Sequence, residues 1–144
     1  MIVWRISNYA DLTGIGGTLA GARWHSIGRP IVYTSEHPAL AMLETLVHLD
    51  RNDLPSRFQL LTIELPESSI SALSAGMPVD AESHETWSRQ TGDDWLAAKS
   101  SLAMRVPSFV APYSWNYLIN PAHPRMSEAR IVRIDQMPFD TRLG

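Results

Sequence analysis

The chain has 144 residues, 44% hydrophobic and 19% charged, with a formal net charge of −3. That length fits one compact domain over residues 1–144, and the apolar share is enough for a core. The absence of cysteine removes disulfides, thiolate metal sites and cysteine nucleophiles, and the mild acidity offers no broad cationic face to a nucleic-acid backbone.

In chain order, the opening Ile2-Val-Trp-Arg-Ile6 predicts a strand over 2–6. No basic stretch, apolar core and cleavage site precede it, and the longest apolar run, Ala39–Leu43, is far short of a membrane span. A cytoplasmic protein with no membrane contact is therefore expected. A flexible glycine-containing loop, Gly14 to Gly21, leads into a second strand over 31–35. A helix follows over 36–49, with Ser35 as its N-cap and Pro38 in the first turn, where a missing N–H costs little. The run Phe58-Gln-Leu-Leu-Thr-Ile-Glu-Leu65 is suited to a pleated surface and predicts a strand over 57–65. Residues 66–92 read as connections with one short helix around 82–90. A helix over 93–102 would begin at Asp93-Asp94, two acids placed to complement its N-terminus. Strands over 103–111 and 129–134 complete the set. Strands and helices without regular βαβ alternation argue for an α+β fold, with mixed or antiparallel sheets and flanking helices.

Several motifs fail on inspection. Gly14-Ile-Gly16-Gly17 resembles a nucleotide loop, but the third glycine of the dinucleotide fingerprint would fall on Leu19. His84-Glu85 starts like a zinc-protease helix, but the second histidine would fall on Ser88. Histidines 25, 37, 48, 84 and 123 show no ligand spacing, so no metal is expected. No Gly-x-Ser-x-Gly elbow is present. Trp4, Trp24 and Trp95 read as core residues.

What remains is the stretch from Arg23 to Ser35, which holds Arg23, His25, Ser26, Arg29, Tyr33 and Ser35 and runs into the helix carrying Glu44. Only Lys99 among the 12 cations is a lysine. GC-rich coding produces such a skew, yet an arginine fork also suits carboxylates and pyrophosphate. On the predicted helix, Leu40, Leu43, Leu46 and Val47 share one arc, with Glu44 at its flank and His48 one turn on. A carboxylate there is either half of a structural salt bridge or part of a small-molecule pocket. Arg23 is open to the same two readings, and Arg29, ahead of Pro30 in a turn, reads as surface.

These residues resemble the RES-domain toxins of bacterial type II toxin–antitoxin pairs, named for an arginine, a glutamate and a serine. The matching residues here are Arg23 in Gly-Ala-Arg-Trp, Glu44 in Ala-Met-Leu-Glu and Ser108 in Val-Pro-Ser. Trp4-Arg5, Gly28-Arg-Pro-Ile-Val-Tyr33, Gly92-Asp-Asp-Trp-Leu, Asn116 to Pro124 and the closing Pro138-Phe-Asp-Thr-Arg-Leu extend the match along nearly the whole chain. The resemblance implies an ADP-ribosyltransferase-like fold that binds NAD+ as substrate and breaks its nicotinamide–ribose bond. The outcome would be NAD+ depletion by hydrolysis or phosphorolysis and arrested growth, or transfer of ADP-ribose to a cellular protein. It implies a partner as well, a helix-turn-helix antitoxin of the Xre type that occludes the pocket. In this reading Glu44 stabilises the cationic ribose, Arg23 and Arg5 grip the pyrophosphate, and Tyr33 stacks on nicotinamide or bonds to the ribose. Ser108 and Asn116 complete the polar wall, with His25 in the same pocket. Against it stands a non-enzymatic interaction domain whose Arg/Glu cluster is a structural ion network.

Overall fold

The computed structural model describes residues 1–73 and 81–143. Seven strands, β1 (Ile2–Ile6), β2 (Val32–Ser35), β3 (Arg57–Glu64), β4 (Ile70–Ala72), β5 (Ala103–Pro107), β6 (Trp115–Ile119) and β7 (Arg130–Pro138), accompany helices α1 (Ile15–Leu19), α2 (Pro38–Leu46) and α3 (Ala81–Ala98). The strands form one sheet in the order β4-β5-β6-β2-β1-β3-β7. Every pairing is antiparallel except β4 with β5. The architecture is the α+β class expected.

Side chains alternate across this sheet as the period-two geometry of strands requires. Val32 and Ile119 enter one core with Val3, Leu61 and Ile63. Their chain neighbours Ile31 and Leu118 enter the other, with Trp24, Met104 and Val106 beneath Trp95 and Leu96 of α3. The sheet is thus buried against both layers along its middle strands.

Several element boundaries depart from the sequence reading. The two helices expected over 82–90 and 93–102 are one helix, α3, ending at Ala98. Gly92 does not break it. A Cβ there would lie 1.6 Å from the Trp24 carbonyl oxygen, so the glycine permits close packing rather than marking an end. Asp93 consequently sits within the helix rather than at its start. The N-cap of α2 is His37, whose Nδ1 accepts from Ala39 N–H at 3.1 Å. Ser35 instead ends β2, paired with Asn116. The strand placed over 103–111 stops at Pro107, because Ser108 N–H donates to the Ser114 carbonyl and closes a loop. The strand placed over 129–134 extends to Pro138, pairing with β3 through an irregularity between Thr62 and Ile63. Strands β4 and β6 were not expected. The Gly14–Gly21 loop contains the short α1.

Candidate functional site

Helix α2 carries Glu44 differently from the pattern of its leucines. Leu40 and Ala41 are buried, whereas Leu43 and Val47 are 44% and 56% exposed. By the helical step, Glu44 lies about 40° from Leu40 and about 60° from Ala41. It is therefore within the buried face, not at its flank. That face packs on β1 and β2, which delivers the carboxylate to the end of the sheet where Ser35 and Asn116 pair.

The glutamate is held by two donors. Ser108 Oγ–H and Asn116 Nδ2–H both donate to Glu44 Oε1, each at 2.7 Å. Asn116 is oriented in turn by Ser35, whose hydroxyl donates to Asn116 Oδ1 at 2.8 Å. Ser108 Oγ accepts from Val110 N–H and Ala111 N–H, both at 3.0 Å, so its single proton is committed to the carboxylate. Among the described residues both donors to Glu44 reach Oε1, and this leaves Oε2 for a ligand.

Glu44 faces a cavity of about 660 Å³, lined among others by Trp4, Arg5, Arg23, Tyr33 and Asn116. Its size falls in the roughly 300–1,000 Å³ range of small-molecule sites. Arg5, on β1, is half-buried and donates from Nη1 to the Tyr33 carbonyl at 3.0 Å. Burial pulls its pKa down and the charge of Asp11 partly offsets this, but an arginine starts high enough to stay cationic at neutral pH. Arg23 is exposed, with its guanidinium 4.4 Å from the centre of the Phe109 ring. That stacking leaves the planar fork free to meet an anion edge-on. Neither Arg5 nor Arg23 forms an ion pair among those seen between described residues. Tyr33, from β2, has its pKa raised chiefly by burial and is neutral.

Of the residues singled out from sequence, Arg5, Arg23, Tyr33, Glu44 and Asn116 reach the cavity wall together. His48 lines it as well. Ser108 stands behind Glu44, and His25, 2% exposed, stands behind Tyr33. Arg29 is exposed and lies 3.7 Å from Asp93, as its surface reading expects. Trp24 and Trp95 are core, Trp24 also contributing to the cavity wall, and Trp4 reaches the cavity as well. Sequence reasoning included Ser35 in the polar stretch but gave it only a capping role, and it missed Phe109 and Arg89, the last paired with Glu85 at 2.8 Å on α3. Strand alternation from Tyr33 could have placed Ser35 at the site. It also missed the role of Asp93, whose carboxylate accepts from Ser26 N–H at 2.8 Å and Ser26 Oγ–H at 2.6 Å. This clamps the Arg23–Ser26 turn onto α3.

Comparison with known proteins shows the family and the fold. Residues 2–142 match the RES domain. The chain belongs to the RES domain family. It is 43% identical to "Toxin Res" of Pseudomonas putida, with 99% of each chain covered. It is 35% identical to "Prs ADP-ribosylating toxin" of a Sphingobium species, covering 97% of this chain and 94% of the relative. Its fold is similar to a chain in the crystal structure of the M. tuberculosis MbcT-MbcA toxin-antitoxin complex. That match has a TM-score of 0.76 and 13% identity, and covers 95% of this chain and 84% of that one. The three residues on which the sequence resemblance rests lie near one another: Ser108 is hydrogen-bonded to Glu44, and Arg23 lines the same cavity as Glu44. Among the described residues, no group of three or more His, Asp or Glu could hold a metal ion, and no helix is long and apolar enough to cross a membrane.

Proposed function

We propose that the chain is the toxin of a type II toxin–antitoxin pair, a RES-domain enzyme that binds NAD+ and cleaves its nicotinamide–ribose bond. The observation that carries this reading is Glu44, pinned through Oε1 by Ser108 and Asn116, with Oε2 free in a cavity that also holds Arg5 and Arg23. Nicotinamide leaves NAD+ as a neutral molecule, so its departure needs no general acid. What the reaction needs is stabilisation of positive charge growing on the ribose, as in other oxocarbenium-like transition states. A fixed carboxylate supplies that electrostatically and accepts hydrogen bonds from ribose hydroxyls. Arg5 and Arg23 hold the pyrophosphate through charge-assisted bonds. Water adds at the anomeric carbon and loses a proton, giving ADP-ribose, nicotinamide and H⁺. Inorganic phosphate in its place gives the 1-phosphate. The protein partner is a helix-turn-helix antitoxin of the Xre type that covers this cavity, a reading supported by the fold's likeness to a chain from a toxin-antitoxin complex.

A second reading, transfer of ADP-ribose to a cellular protein, is favoured by the relative called an ADP-ribosylating toxin. Release of free nicotinamide tests the shared bond cleavage. Glu44→Ala should slow it by about 10²–10³-fold, which is the loss of one positioned transition-state contact worth roughly 2.7–4 kcal/mol. Equal rates for wild type and variant would remove Glu44 from the chemistry. Product analysis with and without phosphate, and with lysate and labelled NAD+, separates water, phosphate and protein as acceptors.

A further inference from the structure

Two features stand outside that mechanism. One is a buried histidine that does not line the cavity, and the other is the glycine-containing turn that fits no nucleotide fingerprint. They meet. His25 Nε2 lies 3.0 Å from the Ala20 carbonyl oxygen and 3.2 Å from that of Gly17. Carbonyls only accept, so Nε2 carries the proton, and in the neutral ring Nδ1 is the acceptor. Nδ1 is 2.7 Å from the Tyr33 hydroxyl, which must therefore donate to it. The same hydroxyl accepts from Trp24 N–H at 3.1 Å. Tyr33 thus has no proton left to give a ligand, and burial keeps it from ionising. The glycine is required for this arrangement. A Cβ on Gly17 would lie 2.5 Å from the Arg29 carbonyl oxygen, so only glycine lets the turn press against residues 29–31 and bring its carbonyl to the imidazole.

We infer that His25 is a positioning residue: its Nε2–H tautomer, fixed by the Gly17 and Ala20 carbonyls, takes the Tyr33 hydroxyl proton and sets the Tyr33 ring, without a free donor, in the cavity wall. This narrows Tyr33 to presenting its ring, or accepting through its oxygen, rather than donating from its hydroxyl. The effect on turnover rests on the proposed NAD+ cleavage, whereas the tautomer does not.

The first experiment is a long-range ¹H–¹⁵N spectrum of the ¹⁵N-labelled wild type, recorded where His25 is neutral. An Nε2–H ring is expected, and an Nδ1–H ring overturns the inference. The second is a double-variant cycle read as KM for NAD+ in the nicotinamide assay. Tyr33→Phe and His25→Gln should each raise KM by about 10-fold, and the pair together by about 10-fold rather than the about 100-fold of independent sites. His25→Asn, whose side-chain oxygen can reach the Nδ1 position, should retain more of the wild-type KM than His25→Gln, which reaches only the Nε2 position. Additive effects, or equal losses for the Asn and Gln variants, mean a merely structural histidine. Wild-type protein that releases no nicotinamide sinks the proposed reaction and leaves the tautomer spectrum to decide His25 alone.

Discussion

Arg5 shows what a single residue's surroundings add to its type. Its guanidinium is half-buried beside the cavity, its pKa lowered first by desolvation. Arginine tolerates that because its ordinary value lies far above neutrality. Lysine starts at about 10.4, and burial lowers it in the same direction, towards neutrality. Arg5→Lys therefore exchanges a permanent cation for a titrating one. The cation persists below the lowered lysine pKa and is lost as pH rises through it. The expected outcome is a KM for NAD+ that climbs for Arg5→Lys between pH 7 and 9.5 while wild type stays flat over that span. A variant whose KM tracks wild type would mean that Arg5 does not meet the pyrophosphate. Sequence could nominate Arg5, Arg23, Tyr33, Glu44 and Asn116 by type, and the structure brings them to one cavity. It could not assign Ser108 or His25 their places. Both act through another side chain, and that depends on which lone pair or proton faces which neighbour.

Elements tell a similar story about local signals and tertiary demand. Gly92 and the two acids after it looked like a helix start, since glycine in a helix interior costs roughly 0.5–1 kcal/mol relative to alanine. Here the interior glycine is retained because Trp24's backbone occupies the space a side chain would need. Asp93 then serves the Ser26 turn instead of a helix terminus. The leucines of α2 misled in the same way. Leu43 and Val47 are exposed while Glu44 is turned inward, because a helix face that lines a site must carry polar residues that pattern reading places outside. Regular strands such as β1, β2 and β3 were legible from composition alone, whereas β4, of three residues, is too short to announce itself. Gly92→Ala separates propensity from packing. Propensity alone predicts a slightly more stable protein, but the clash with Trp24 predicts destabilisation of about 1–3 kcal/mol or more. Urea unfolding decides, with unchanged or increased stability refuting the close-packing role. The site should suffer too, since Trp24 N–H is one of the bonds to Tyr33.

At the scale of the whole molecule, the site draws on β1, β2, α2, β6, α3 and the loop after β5, so its integrity is tied to global stability rather than to one segment. Three exposed carboxylates link that stability to acid. Asp11 has its pKa lowered chiefly by the Thr13 hydroxyl, Glu128 by Arg125 and Asp140 by Arg142. A folded-state pKa below the unfolded one contributes stability above the unfolded value, and that contribution is lost as pH falls through the folded value. The loss therefore begins near the ordinary values of 3.8 for aspartate and 4.5 for glutamate and continues below them. The partner guanidiniums of Arg125 and Arg142 are raised above the ordinary arginine value, so their share is complete throughout the acid and neutral range and adds no acid limb. Acid also neutralises the 15 acids against 12 fixed cations, and the resulting repulsion destabilises wild type and variant alike. The difference between proteins is thus the informative quantity. Asp11→Asn/Glu128→Gln/Asp140→Asn should melt below wild type at pH 6 and converge with it by about pH 2, as the carboxylates protonate. In 1 M salt, where the Debye length is about 3 Å, the gap at pH 6 should shrink as the exposed Arg125–Glu128 and Arg142–Asp140 pairs are screened. The part due to Asp11 should persist, because a neutral hydroxyl donor is not screened as a charge is. A gap that stays constant with pH would show that these three carboxylates do not supply the acid limb.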